Sequence, residues 1–544
     1  HERILRKTQR RLFMMGGIFV ISFGVIGLRM TALAVSEPIE PKARATAAQI
    51  LASRADILDR NGRVLATNID THSLYAHPRQ LIDPEGTARQ LAEIFPDINV
   101  EKMAARLAGP QEFLWLKPAI SPEEKQAVHD IGEPGLLFGP REMRLYPNGQ
   151  LAGHILGGTT FGAQGVHSAE VIGMAGVEKA FDTFLRDPRF DGQPLQLSID
   201  LTVQSALEEA LYGGMRLMNA KGASAVLMDA YSGEVVSLSS LPDFDPNNRP
   251  RPLTQGDASD SALFNRAVQG VYELGSAFKA FTVAQAMDLG LVEPGSMVDT
   301  KGPLRWGKHK INDYRDYGAQ MSVEKVLIKS SNIGTARLSL MIGAELQKDF
   351  LDRLGLLQAT PIEVIEGPTG RPQYPSNWSD ISTMTISYGH GISTSPVHLA
   401  AGYAAIVNGG TLVKPTLLKQ PAPPRGARII SEKTSRDLRS MMRRVVTEGT
   451  AKMGDVPGYS VAGKTGTADK PSPQGGYYKD KVLATFASFF PSTDPRYVLI
   501  VTLDEPEDRT GPEPRRTAGA TAVPVAAEII RRVAPLLGIA PEIE

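Results

Sequence analysis

The chain has 544 residues, too many for one ordinary domain, and its 42% hydrophobic and 22% charged residues have a globular balance. Its 59 basic residues offset 59 acidic ones, and no basic stripe follows the N-terminus, so nothing in the charge points to nucleic acid. There is no cysteine, which excludes disulfides, zinc–thiolate sites and cysteine nucleophiles together and fits an oxidising compartment.

The N-terminus carries Arg3, Arg6, Lys7, Arg10 and Arg11 ahead of "LFMMGGIFVISFGVIGL", an uncharged run over 12–28. Apolar character continues past Arg29 to Val35. Roughly 20 such residues cross the hydrocarbon core of a bilayer. We therefore expect a cytoplasmic tail over residues 1–11 and a transmembrane helix over 12–35, with the basic flank inside and the bulk of the chain outside. The competing reading is a cleaved signal peptide, because Ala32-Leu33-Ala34 has the form of a cleavage site. The apolar run is long for such a peptide. Arg29 either snorkels to the interface or pairs with a partner's membrane helix.

Residues 36–192 alternate short strand-like runs with Pro/Gly breaks and a few short helices. "RADILDRNGRVLATN" (54–68) reads as two strands around an Asn-Gly turn, and "REMRLYPNG" (141–149) ends in another turn. From about residue 193 the texture changes. "LQLSID" is a short strand ending at Asp200, a helix N-cap, and Val203, Leu207, Ala210 and Leu211 then fall at helical spacing. "ASAVLMDAYSGEVVSLSSLP" (223–242) is a hairpin. The stretches 459–469, 483–491 and 497–506 are three more strands, and 522–538 is a closing helix with Gly538 at its C-terminal end. Residues 193–544 thus read as one α+β domain, an antiparallel sheet flanked by helices with a long, mostly helical insertion.

Three short stretches carry the chemistry. In "YELGSAFKAF", Ser276 and Lys279 stand three apart, so in a helix they share a face with Cβ atoms roughly 5–6 Å apart. A lysine is a poor base until burial or a second cation lowers its pKa. The helix that follows is apolar nearly all round, from Phe278 to Leu289, which marks it as buried. The chain contains its own control, because "SVEK" (322–325) has the same spacing. There Ser322 reads as an ordinary N-cap. "KSSN" (329–332) places Ser330 and Asn332 two apart at a helix end. Its plain reading is a C-cap with Asn332 left-handed. "GKTGT" (463–467) contains Lys464, Thr465, Gly466 and Thr467 on a strand pattern, and its plain reading is an exposed turn or edge. S-x-x-K, then S-x-N, then K-T-G in that order is far rarer than any one of them.

With those motifs the chain resembles the class B penicillin-binding proteins, monofunctional peptidoglycan D,D-transpeptidases. Further stretches are similar to that family: "ADILDRNGRVLA", "RLYPNG", "HILG", "GVEKAFDTFL", "SYGHGISTSPVHLAAGYAAIVNGG" and "TAVPVAAEI". The resemblance implies a membrane anchor, a non-catalytic periplasmic pedestal over 36–192, of the dimerisation type, and a transpeptidase domain over 193–544. It is closest to the division-specific, FtsI-type enzymes, with the elongation-specific paralogue as the alternative. Leu274 and Ala277 depart from residues common in the family, and neither has a chemical role in its scheme.

The resemblance implies that Ser276 attacks the penultimate D-Ala carbonyl of a stem pentapeptide, with Lys279 as base. Ser330 with Lys464 would relay a proton to the leaving amine, and Asn332 would bind the substrate amide. Thr465, Gly466 and Thr467 would hold the terminal carboxylate, and the backbone N–H groups of Ser276 and Thr467 would form the oxyanion hole. The expected partners are stem peptides, β-lactams, an FtsW-type polytopic glycosyltransferase and other divisome proteins, at the septum of a bacterial inner membrane. No cofactor or metal is expected. A β-lactamase is disfavoured by the anchor and pedestal, and by the lack of an E-x-x-x-N segment between the second and third motifs. A non-catalytic scaffold or sensor is disfavoured by the intact trio.

Overall fold

The computed structural model describes residues 2–35, 53–165, 168–190, 192–422 and 426–542. They fall into two compact units. One is His1–Leu51, Ile69–Met143 and Phe161–Glu170; the other is Ala52–Asn68, Arg144–Thr160 and Val171–Glu544. Segments from residues 36–192 therefore contribute to both.

In the first unit, helix α1 (Glu2–Val35) includes Arg6–Ala32, with a mean hydropathy of 1.9, long and apolar enough to cross a membrane. Large side chains such as Phe13 and Leu28 are exposed along it, as lipid contact requires. Elsewhere in this unit the helices Pro84–Ile94 and Val100–Leu107 share a small core with the strand Leu114–Ile120, in which Leu74, Leu91 and Leu107 are fully buried. Asp83 and Asn99 cap the two helices, each accepting a hydrogen bond from an N–H of the first turn.

The second unit opens with the expected hairpin. Ile57 and Leu58 pair antiparallel with Ala66 and Val64, and Gly62 takes the positive φ of 83° that the turn requires. Three of the quoted stretches meet at Glu178. This carboxylate is fully buried between Arg54 Nε and Arg144 Nε, each at 2.7 Å, and accepts from the Tyr146 hydroxyl at 3.2 Å. Removing it would strand two buried guanidinium ions, a loss of about 3–5 kcal/mol.

Helix α2 (Leu201–Leu217) starts at Asp200, whose side chain accepts from the N–H groups of Thr202 and Val203. Strands β1 (Gly222–Asp229) and β2 (Val235–Leu241) form the hairpin read from the sequence. Helices α3 (Lys279–Asp288), α4 (Val323–Lys329), α5 (Asn332–Ile342), α6 (Pro396–Val407) and α7 (Glu432–Thr447) make up most of the insertion. Strands β3 (Ala462–Pro471), β4 (Tyr477–Phe490) and β5 (Tyr497–Asp504) complete the sheet before α8 (Ala522–Leu536). The sheet order is β3-β4-β5-β1-β2, with every neighbour antiparallel. Helices α2 and α8 pack on it together, and α6 packs on it beside α7. Strands β2 and β5 are buried along their whole length, because both sheet faces are covered.

Helix α3 lies in the middle of this unit. Every residue from Lys279 to Ala286 is buried. Phe281 meets Phe278 and Tyr403 edge-on, with ring centroids 5.4 and 5.5 Å away, and its burial contributes about 2 kcal/mol. The Tyr403 hydroxyl donates to Ala277 O at 2.7 Å and holds the entry to the helix.

Candidate active site

Ser276 sits in a short 3₁₀ turn, Gly275–Phe278, that runs directly into α3. Gly275 has φ +57°, and a Cβ there would stand 2.8 Å from Thr467 O. Gly466 lies against the same turn, where a Cβ would be 3.2 Å from Ala277 N. Edge strand β3 therefore rests on the serine turn backbone to backbone, which glycine allows at both positions. The first N–H groups of such a turn have no partner within the helix, and that of Ser276 is among them.

The Lys279 amine is fully buried and donates to Ser330 O at 2.6 Å, Ser330 Oγ at 3.1 Å and Asn332 Oδ1 at 2.7 Å. Those three bonds use all of an ammonium's directions. The helical spacing alone placed this amine beside Ser276; its bonds instead go across to the Ser330–Asn332 loop. The reason is local backbone. Ser330, rather than Asn332, is the left-handed residue, with φ 64° and ψ 47° at the end of α4. That turn directs both its carbonyl and its hydroxyl at the amine. Ser331 then caps α5, and Asn332 is the first residue of that helix. Ser276 Oγ makes no hydrogen bond among the described residues and faces the groove.

Lys464 approaches Ser330 Oγ from the other side at 3.0 Å and is also fully buried. The K-T-G stretch does lie on the sheet edge, but its lysine points inward and only Thr467 reaches the surface. Burial first, and then the Lys464 charge, hold Lys279 well below the usual lysine pKa, with Asp313 opposing. Burial brings Lys464 down to about 7. The Thr465 hydroxyl shares a hydrogen bond with Thr450 at 2.7 Å. The Thr467 hydroxyl accepts from Ala518 N–H at 2.9 Å, which leaves its own proton free for an anion. Ser276, Ser330, Asn332, Thr465 and Thr467 line one groove of about 400 Å³. Among the described residues no group of three or more His, Asp or Glu side chains is placed to hold a metal.

Several residues here had no signal in the sequence. Asp313 accepts from Ser331 Oγ at 2.7 Å and from the N–H groups of Asn332 and Ile333 at 2.6 and 3.0 Å, so it fixes the start of α5. Thr450, Thr517 and Gly519 form a wall of the groove from loops far away in the chain. Ser322 behaves as the sequence suggested, accepting from Lys325 N–H at 3.3 Å as an N-cap.

The penicillin-binding protein transpeptidase domain matches residues 223–531, and the penicillin-binding protein dimerisation domain matches residues 49–188. The chain belongs to the class B penicillin-binding proteins. Among curated relatives of this penicillin-binding protein is the "Probable peptidoglycan D,D-transpeptidase FtsI" of Caulobacter vibrioides, 35% identical over 90% of this chain and 82% of the relative. The peptidoglycan D,D-transpeptidase FtsI of Escherichia coli K12 is 30% identical over 91% and 85%. Among solved structures, penicillin-binding protein 3 of Mycobacterium tuberculosis in complex with aztreonam superposes with a TM-score of 0.67 at 25% identity, over 90% of this chain and 98% of that one. By family and fold this penicillin-binding protein is a serine-type D,D-transpeptidase, with the α+β architecture expected from its sequence.

Proposed function

We propose that this enzyme cross-links septal peptidoglycan through an acyl-enzyme on Ser276. The observation that carries this reading is Ser330 Oγ held between two fully buried lysines, 3.1 Å from Lys279 and 3.0 Å from Lys464, in the groove that exposes Ser276. Lys279, whose proton affinity burial and the Lys464 charge lower, takes the Ser276 proton as the oxygen attacks the penultimate D-Ala carbonyl. The N–H groups of Ser276 and Thr467 face the oxyanion, the kind of stabilisation that removing one donor costs about 10²–10³ in rate. Ser330 passes a proton between the lysines and the departing D-Ala amine. Asn332 binds the substrate amide, and Thr465, Gly466 and Thr467 hold its carboxylate. An acceptor amine then takes the acyl group.

A β-lactam presents a strained amide to the same serine and stays on it. The aztreonam complex of a structure sharing this fold supports that reading. The two FtsI relatives support a division role. The apolar helix α1 and its basic flank support a single-pass inner-membrane protein with residues 1–11 in the cytoplasm, a pedestal over 36–192 and a transpeptidase domain over 193–544 in the periplasm. We place it with an FtsW-type glycosyltransferase and other divisome proteins. Intact mass spectrometry with penicillin tests the chemistry: one drug mass should add to the wild type and to Ser322→Ala, and none to Ser276→Ala. An adduct that survives Ser276→Ala sinks the reading.

A further inference from the structure

Glu273 stands three residues before Ser276, and the reading above gives it no role. Its carboxylate is where two other segments meet. Oε1 accepts from Gly391 N–H at 2.8 Å and from the Tyr477 hydroxyl at 3.2 Å. Oε2 stands 3.1 Å from His390 Nδ1. The circle closes at His390 Nε2, 3.2 Å from the same Tyr477 hydroxyl, with the two ring centroids 5.0 Å apart. The Glu273 side chain is 12% exposed and that of His390 43%, so water and protons reach the imidazole.

Counting protons fixes the state of this circle. The Tyr477 hydroxyl has one proton, and an ionised Glu273 only accepts. If Tyr477 donates to Glu273, both imidazole nitrogens must donate, Nδ1 to Glu273 and Nε2 to Tyr477. Only the imidazolium carries both protons. A neutral ring carries one and leaves a side of the circle open, either between Tyr477 and Glu273 or between Glu273 and Nδ1. The surroundings favour the charged form. The hydrogen bond to Glu273 raises the His390 pKa above its usual value; burial opposes this, and the charges of Glu273 and of Asp469 on β3 reinforce it. Tyr388, stacked 6.5 Å away, is the remaining titratable neighbour.

The circle joins the segments that shape the serine groove. Gly275 N–H donates to Gly389 O at 3.3 Å, and a Cβ on Gly389 would stand 2.1 Å from Gly275 O, so the turn before His390 rests on the serine turn. Tyr477 opens β4 and pairs with Pro471 at the end of β3. The register shifts between Asp469 and Pro471, so the ladder is interrupted just where the circle ties the hairpin down. We infer that His390, as imidazolium, is a positioning residue: it clasps the end of the β3–β4 hairpin to the serine turn and so holds β3, with Thr465 and Thr467, against Ser276. The inference rests on the roles given above to Ser276 and the threonines. The clasp is fully closed below the ordinary imidazole pKa of about 6.5 and opens as pH rises through the raised one.

The test uses the full-length protein in detergent and a D-alanyl thioester that ends in a carboxylate. It reads kcat/KM at pH 6 and pH 9 in the wild type, His390→Gln, Tyr477→Phe and the double variant. Glutamine offers donor and acceptor at every pH but no charge, as the neutral imidazole does. The buried lysines titrate in all four proteins, so the ratio of wild type to variant reads the clasp alone. His390→Gln should lose about threefold at pH 6, the worth of a half-exposed ion pair, and match the wild type at pH 9. Tyr477→Phe should lose about as much at pH 6, and adding His390→Gln to it should cost nothing more. An equal loss at both pH values, which a merely structural role would give, overturns the inference. So does the absence of any loss at pH 6, or losses that multiply in the double variant. If the wild type forms no thioester-derived adduct on Ser276, the serine reading itself has failed, and intact mass shows that separately.

Discussion

Ser276–Lys279 and Ser322–Lys325 are the same four-residue pattern in one chain, yet they do opposite things. At the second site the serine hydroxyl accepts from the N–H of its own Lys325, and the lysine side chain points to solvent. At the first the lysine is fully buried, and its hydrogen bonds cross to residues more than 50 positions away. Spacing decides only that two side chains share a face. What else is packed on that face decides whether the amine can be a base. An apolar helix, a second buried lysine and a left-handed serine convert one copy; nothing converts the other.

The comparison breaks most sharply at the serines. Ser276→Ala should abolish the penicillin adduct, a drop of at least about 10³ in acylation rate, whereas Ser322→Ala should acylate at the wild-type rate. Stopped-flow acylation with a chromogenic β-lactam reads both. Next come the lysines. Lys279→Met should slow acylation by about 10²–10⁴, the range of a lost general base, and Lys325→Met by less than twofold.

The pH profile sharpens the contrast further. In the proposed mechanism the base is the neutral amine, so acylation should rise with pH, with Lys464 titrating at about 7, and level off below the ordinary lysine range. Both buried lysines are pushed down in the folded protein, while in the unfolded chain they keep their protons to about pH 10.4. The unfolded state therefore binds more protons from about pH 7 to 10, and the lysines' contribution to stability grows across that window. Urea midpoints at pH 7 and pH 9 should show this in the wild type, and the gain should shrink in Lys464→Met. The smallest effect belongs to the cap. Ser322→Ala should cost about 1 kcal/mol in urea unfolding with no change in chemistry.

Much of this was legible because it is local. The hairpin over 223–242, the cap at Asp200 and the buried helix after Ser276 each follow from patterns a few residues long. The ordered trio was legible because each motif is short. The rest depended on contacts between distant segments. Asp313 anchors Asn332 from 19 positions upstream, and Thr450 and Thr517 reach the groove from separate loops, so none of them has a local signature. Whether Lys464 faced water or the interior depended on what covers the sheet edge. The sequence points to Asn332 as the left-handed residue at the end of α4, because asparagine tolerates that shape better. Ser330 adopts it instead, since the loop must aim its hydroxyl between two amines.

That choice sets stability against activity at a single position. A serine held at φ 64° is under conformational tension of about 1–2 kcal/mol that glycine would not feel. Ser330→Gly should therefore regain in relieved tension much of what it loses with the two lysine bonds while transferring acyl groups poorly, and Ser330→Ala should be slow and less stable, because it loses the bonds without the relief. A chain selected for firmness alone could take glycine here at little loss, and one that keeps serine is held there by the reaction.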